Sequence, residues 1–447
     1  MAKFRLWLKR LALGTLGFLA LYFLLILASQ QYIAHKFLQR IEGYPKPPLQ
    51  RILPPNIELT DIDASRAYSE IASSCLEFGA NPTEASLREF SNPTTLIEIL
   101  QNKLALELPP DLASAFDVCG DNLDKLVKAS RSNIREPIAS HWPFVPLTEA
   151  TSVLNTPNYI RLYNLTKALR VRAVMSKNVD NFLDSLATSF RIVADQGLHG
   201  NGLSAAIVNI YSAPIIDSYA LLLSKIPVNT LGFKRIITDL NNLETHLVSI
   251  KENWLGEYAF TQSFSLPWTQ IPYVDQASIV AYMQDTSPIE KIYRYSVNTP
   301  FWAIAINKTY ENLIAVAKEE PPIRYKYYIE LLGSRQRFFY NFLDLLLDDG
   351  ATVALTFNIG TDIDREALRS KMNAIRLLAT SLRNTPRPTT EQLTAMLENV
   401  DPLTGQSYKI SSFSDGITIE SKFNFDEYKT TFPSSRSDPY KIEYRYH

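Results

Sequence analysis

Cysteine is nearly absent from this chain: Cys75 and Cys119 are the two in 447 residues, and they are too few and too far apart for a metal site. Histidine is as sparse. His35, His141, His199, His246 and His447 are scattered, and none shows the spacing of metal ligands, so no metal and no cofactor is expected. Excess charge of either sign is missing. With 45 basic and 46 acidic residues the formal net charge is −1, which argues against nucleic acid as a partner, because such binders carry a basic surplus. Glycine stands at 15 residues against 26 prolines, a balance of helices punctuated by proline turns rather than of a glycine-rich barrel or nucleotide fold. No G-x-S-x-G, H-E-x-x-H, S-x-x-K or phosphate-loop motif is present, so the commonest hydrolase and ATPase signatures are excluded.

What the chain does have is one long apolar run. The eighteen residues Leu11–Ala28 carry no charge, and Lys3, Arg5, Lys9 and Arg10 precede them. At ~1.5 Å per residue the run spans roughly 27 Å of helix, close to the hydrocarbon thickness of a bilayer, and the four cations hold the N-terminus on the cytoplasmic side. Trp7 and Tyr32 flank it as interfacial aromatics. A cleaved signal peptide is disfavoured, because the run exceeds the usual apolar region and Ile26 precedes the small residue Ala28 by two positions. The expectation is an uncleaved single-pass anchor in a bacterial inner membrane, with the body in the periplasm. In that compartment Cys75 and Cys119 could bridge, closing a loop whose constraint would stabilise by about 4 kcal/mol. Two buried free thiols are the alternative, and the sequence leaves both open.

The remaining four hundred residues are 46% hydrophobic over the whole chain and 20% charged, enough to bury a large core. Five prolines between Gly43 and Leu59 make a semi-rigid stalk. Helical patterns follow, with starts at Thr60 or Asp61, Thr83 and Pro109 to Asp111. Leu162, Leu165, Leu169 and Val174 form one stripe, and Val179, Phe182, Leu183, Leu186, Phe190 and Val193 form the next, with Arg and Lys on the opposite faces. Leu203 to Ile226 is so uniformly apolar that it reads as the buried centre of a bundle, bent at Pro214. Near the end, Ile363 to Leu382 and Thr389 to Glu398 read as helices. Ser407 to Ser411, Gly416 to Lys422 and Tyr440 to Tyr446 alternate as strands. The fold class expected is mainly α: an N-terminal transmembrane helix, a helical-bundle body and a small antiparallel sheet. The corresponding units are an anchor (1–42), a stalk (43–59), a small helical unit (60–134), a central helical body (147–360) and a C-terminal helix with hairpin (361–447).

Three segments could carry chemistry. Gly197, Gly200 and Gly202 surround His199 before a helix start, where an anion could meet free N–H groups, but no strand precedes them and no Lys-Ser or Lys-Thr follows, so an interhelical turn is the favoured reading. Asp344 and Asp348, with Asp349, place carboxylates four apart on one helix face, an arrangement for acid-base work or for a solvated helix end. Arg324 to Tyr340 interleaves cations with aromatics, and near-neutral net charge favours a buried aromatic face over single-strand binding. Trp254 to Trp302, rich in Trp, Tyr and Pro, is a candidate groove or membrane-facing patch, with an ordinary irregular core as the favoured reading.

The segment Arg376–Glu420 has a helix, a proline, a short L-x-x-L helix, then Asp401, Pro402, Thr404, Gly405 and Tyr408, and a hairpin turn at Asp415 and Gly416. It resembles a pattern at the C-terminus of uncharacterised exported bacterial proteins, with Leu403 where those carry Phe. Its hairpin is also similar to that of type II secretion pseudopilins. Gly17 and Phe18 resemble the cleavage pair of that family, but Tyr22 occupies the place of its Glu. The resemblance implies no catalytic residue. Physically, Asp401-Pro402 with Thr404-Gly405 makes a tight turn that aims the hairpin back onto the preceding helix. The function expected is that of an envelope scaffold or protein-interaction module. An envelope enzyme of unfamiliar type, built on His199 or Asp344 and Asp348, is the alternative, and a pseudopilin-like secretion component is a third.

Overall fold

The computed structural model describes residues 4, 7, 9–25, 28, 75–104, 107–130, 159–196, 202–247, 250–251, 253–254, 310–333, 350–396, 399–423 and 441–446. The proline-rich stretch, His199, Asp344, Asp348 and the groove residues 255–302 lie outside the described residues. The protein is mainly helical, with a three-stranded antiparallel sheet near the C-terminus.

Residues 9–25 are helical and expose their apolar side chains along the whole length, Leu13 at 69% and Phe18 at 68% among them. None belongs to the hydrophobic core, whose first described member is Cys75. The body opens with a single 3-10 turn, Leu76–Gly79, followed by α1 (Thr83–Phe90), α2 (Pro93–Leu100) and α3 (Pro110–Ser130). Asn92 starts α2 by accepting the Thr94 N–H at 2.9 Å, and Pro93 fills the first helical position, where no N–H is needed. Cys75 and Cys119 are disulfide-bonded with Cα atoms 5.7 Å apart, so the turn is tied to the middle of α3.

The centre of the body is α4 (Tyr159–Met175), α5 (Val179–Gln196), α6 (Gly202–Lys225), α7 (Thr230–His246), α8 (Pro321–Gly333) and α9 (Gly350–Asn384). Helix α6 has almost no polar face, so water is unfavourable on every side of it. It is the one described helix of 18 residues or more that is apolar enough to cross a membrane, and it is packed inside the body against α2, α5, α9 and the sheet. Polar contacts fix its neighbours: Asn209 donates to the Thr361 carbonyl at 2.9 Å, and the Tyr219 hydroxyl donates to Asp239 at 3.0 Å.

Helix α9 is longer than the periodicity alone predicts. It runs unbroken through Gly360 and across the expected 360/361 boundary, because packing against α6 and α7 outweighs the ~1 kcal/mol that one interior glycine costs. Prolines 386 and 388 follow its end, and Thr389 opens α10 (Thr390–Thr394) with a reciprocal capping box to Gln392.

Strands β1 (Lys409–Phe413), β2 (Gly416–Glu420) and β3 (Lys441–Arg445) lie in sequence order. The first strand sits two residues later than expected. The two-residue turn Ser414-Asp415 pairs Phe413 with Gly416 and sets the register, while Ser407 makes only an isolated bridge to Val400. Upstream, Asp401 organises the turn. Its carbonyl accepts the N–H groups of Thr404 and Gly405 at 3.2 and 2.8 Å, and its carboxylate accepts the Leu403 N–H at 2.9 Å and the Ser421 hydroxyl at 2.5 Å. The Tyr408 hydroxyl then donates to the Ser370 carbonyl of α9 at 2.7 Å, seating the hairpin on that helix.

Gly405 has φ +67° with open space around its Cα, so a side chain there meets backbone strain and no clash. Gly405→Val should cost about 1–2 kcal/mol. A lowered melting temperature with an unchanged helical circular dichroism signal is the expected result; an unchanged melting temperature would show that the turn does not hold the hairpin.

Candidate functional site

Two groups of buried charge stand out, and they differ in whether the charges are matched. The first joins α7, α8 and α9. Arg324 lies between Asp362, reached by Nε and Nη2 at 3.3 Å each, and Glu366 at 3.4 Å. Tyr328 donates to Asp362 at 2.5 Å and accepts from the Trp254 indole N–H at 3.2 Å. Glu366 also receives Arg365 at 2.6 Å and Arg369 at 2.8 Å, and Arg369 and Arg376 both reach Glu244 at 3.0 and 2.5 Å. Burial works against the Arg324 cation, but Asp362, Tyr325, Glu366 and Tyr328 together outweigh it and raise its pKa. This network gives each of its four arginines a carboxylate and fixes three helices, with the buried Arg365 Nε left unpartnered. The sequence reading of Arg324 to Tyr340 as a buried aromatic face holds for its described part, where Tyr325 and Tyr328 are fully buried.

The second group is unmatched. A cavity of about 450 Å³ opens between α1, α2, α4 and α6. Tyr163, Asn164, Lys167 and Arg170 line it from α4, with Arg88 and Glu84 from α1, Ser91 and Asn92 at the start of α2, and Tyr211 and Pro214 from α6. Positions 164, 167 and 170 recur at three-residue intervals, which places them on one face of a helix. Here the sequence expectation is corrected for two residues: α4 does not turn Lys167 and Arg170 to solvent. Lys167 is 7% exposed and Arg170 is 1% exposed, because α5, the 3-10 turn, α1 and α2 cover α4 on several sides at once.

Arg170 spends one donor on the Thr166 carbonyl at 3.3 Å, and its Nη1 has no partner. Asn164, 1% exposed, accepts from Lys167 Nζ at 3.1 Å, and its own Nδ2 is unpartnered. Lys167 Nζ sits 4.1 Å over the ring of Tyr163, whose other face stacks on Tyr211 with centroids 3.9 Å apart. The nearest acid, Glu84, is engaged with Arg88 at 3.5 Å. Burial accordingly lowers Lys167 to about 8 despite Glu84, and lowers Arg170 to about 10. The contrast with Arg172, two residues on, is direct. That side chain reaches the Gly120 carbonyl at 2.5 Å and Asp124 at 3.2 Å. A second cleft, of about 570 Å³ beside β3, holds Lys371 paired with Asp217 and Lys441 paired with Glu443, with Lys225 and Arg445 also in its lining.

Buried cations beside a cavity, with donors of Asn164 and Arg170 left unpartnered, form an arrangement that can bind and orient an anion. Nothing in it supplies a nucleophile paired with a base. Among the described residues no group of His, Cys, Asp and Glu could hold a metal ion. His199, Asp344 and Asp348 are not placed, and of the Trp254 to Trp302 groove only Trp254 is described, buried against Tyr310 and Tyr328. Comparison with protein families, with curated proteins and with solved structures found no match for this chain.

The two groups respond oppositely to truncation. Asp362→Ala strips Arg324 of its closest carboxylate and should cost about 3–5 kcal/mol. Arg170→Met removes an uncompensated buried cation while keeping the aliphatic volume, and should stabilise by about 1 kcal/mol or more. Denaturant unfolding of both variants checks this; an Arg170→Met protein as destabilised as Asp362→Ala would mean that Arg170 is matched in the native state.

Proposed function

We propose that this chain is a single-pass membrane protein whose helical body stands on the periplasmic side of a bacterial inner membrane and serves there as a binding module, an envelope scaffold or interaction protein. The observation that carries the reading is the helix over residues 9–25. Its leucines and phenylalanines are exposed on all faces and take no part in the core. Exposed apolar surface of that extent is stable in lipid and unfavourable in water. The basic residues ahead of it set the orientation, and the bridge between Cys75 and Cys119 suits an oxidising compartment. Two surfaces of the body are suited to recognition. One is the cationic cavity of α4. The other is β1, an outer strand of the sheet among the described residues, whose outer main-chain edge suits strand addition by a partner.

Topology tests this reading. In bacterial cells expressing the full chain, the protein should remain in the membrane after an alkaline carbonate wash, and protease added to spheroplasts should digest the body. Deleting residues 1–28 should release it. A full-length chain recovered in the soluble fraction, or a body protected in intact spheroplasts, would overturn the proposal.

A further inference from the structure

We infer that the cavity between α1, α2, α4 and α6 is a binding site for a small oxyanion carrying two negative charges, the chemistry shared by inorganic phosphate and short dicarboxylates. Asn164, Lys167 and Arg170 are its ligands. The inference gives chemical content to the binding-module reading, yet it stands on the folded body alone and does not depend on where the body is held.

The charge count sets the ligand's charge. Four charged side chains line the cavity: Glu84, Arg88, Lys167 and Arg170. Glu84 and Arg88 pair with each other, which leaves two cations, and no carboxylate of the described residues lies within ion-pair distance of either. A buried cation without a partner is costly to fold around, so a site that keeps two of them, three residues apart, is organised for something that arrives later. A dianion supplies the missing charge.

The donors set the ligand's shape. Nη1 of Arg170 and Nδ2 of Asn164 are both buried, and both are unpartnered. Lys167 contributes a third donor group between them in sequence, an ammonium with three N–H bonds, only one of which is spent on Asn164. Donors from three side chains on one helical face can surround a tetrahedral or planar oxyanion. Arg presents its planar fork and Lys a point charge. The site is also held in place before any ligand arrives. Tyr163 is fixed between Tyr211 and the Lys167 ammonium, and Asn164 holds that ammonium on its other side. The volume is that of a small-molecule site rather than of a groove for a polymer.

Protonation is coupled to occupancy. The groups around Lys167 are Glu84, Arg88, Tyr163 and Arg170, and burial among them brings the empty-site lysine down to about 8. A bound dianion favours the ammonium, so the complex takes up a proton above that value and affinity falls as pH rises from 8 to 10.

The test uses the full chain in detergent micelles, titrated calorimetrically and followed by thermal denaturation with sodium phosphate and with sodium succinate, against sodium chloride at equal ionic strength. Saturable binding of one equivalent with a raised melting temperature is expected, weakening about tenfold or more between pH 8 and pH 10, where both probes are already dianions. Lys167→Met and Arg170→Met, each confirmed as folded by circular dichroism, should lose it. Phosphate alone binding marks a phosphate-bearing ligand, and succinate alone marks an organic acid. The inference is overturned if neither probe acts beyond chloride, or if binding persists undiminished in both methionine variants.

Discussion

Helix α6 has no face to give to water, and the rest of the body is arranged around that fact. Twenty-four residues of nearly continuous apolar character can be stable in aqueous surroundings only if other elements cover every side. Helices α2, α5 and α9 and strand β3 cover most of it, leaving Ile210 exposed, and the polar residues that interrupt α6 are used to place them. Asn209 reaches α9, Asp217 pairs with Lys371 of the same helix, and Tyr219 reaches α7. The small C-terminal sheet is part of this cover, which is why its anchoring turn at Asp401 is so fully hydrogen-bonded.

Once α6 occupies the centre, the neighbouring α4 is enclosed as well, and Lys167 and Arg170 go inside with it. The protein resolves such burial in one place and leaves it unresolved in another. Around Arg324 the carboxylates of Asp362 and Glu366 arrive from α9 and complete the charge. Around Lys167 and Arg170 nothing equivalent arrives. Structural charge and functional charge are distinguishable here by their partners rather than by their depth, since both groups are buried to a similar degree.

Much of the architecture was legible in the sequence because it depends on local rules. The nearly continuous apolar character of Leu203 to Ile226 gave the central helix, Thr389 gave the start of a short helix, and Asp415-Gly416 gave a hairpin turn. The cavity was not legible for a related reason. A stripe of Leu162, Leu165 and Leu169 implies an opposite face in water, and that inference fails for a helix covered all round, whose apolar residues show little net direction. The spacing of Asn164, Lys167 and Arg170 was the available signal, but spacing alone does not say whether a face is buried. Nor could it say that Arg324 meets Asp362, 38 residues away, since that pairing is made by packing.

The central claim is that α4 buries cations that the chain itself does not neutralise. The most direct measurement is the ionisation of Lys167 in the ligand-free protein, followed by NMR of the side chain labelled at Cε and Nζ and assigned by comparison with Lys167→Met. The account predicts titration near pH 8, displaced upward when a dianion occupies the site. A Lys167 that titrates at the ordinary lysine value of about 10.4 in the empty protein would contradict it.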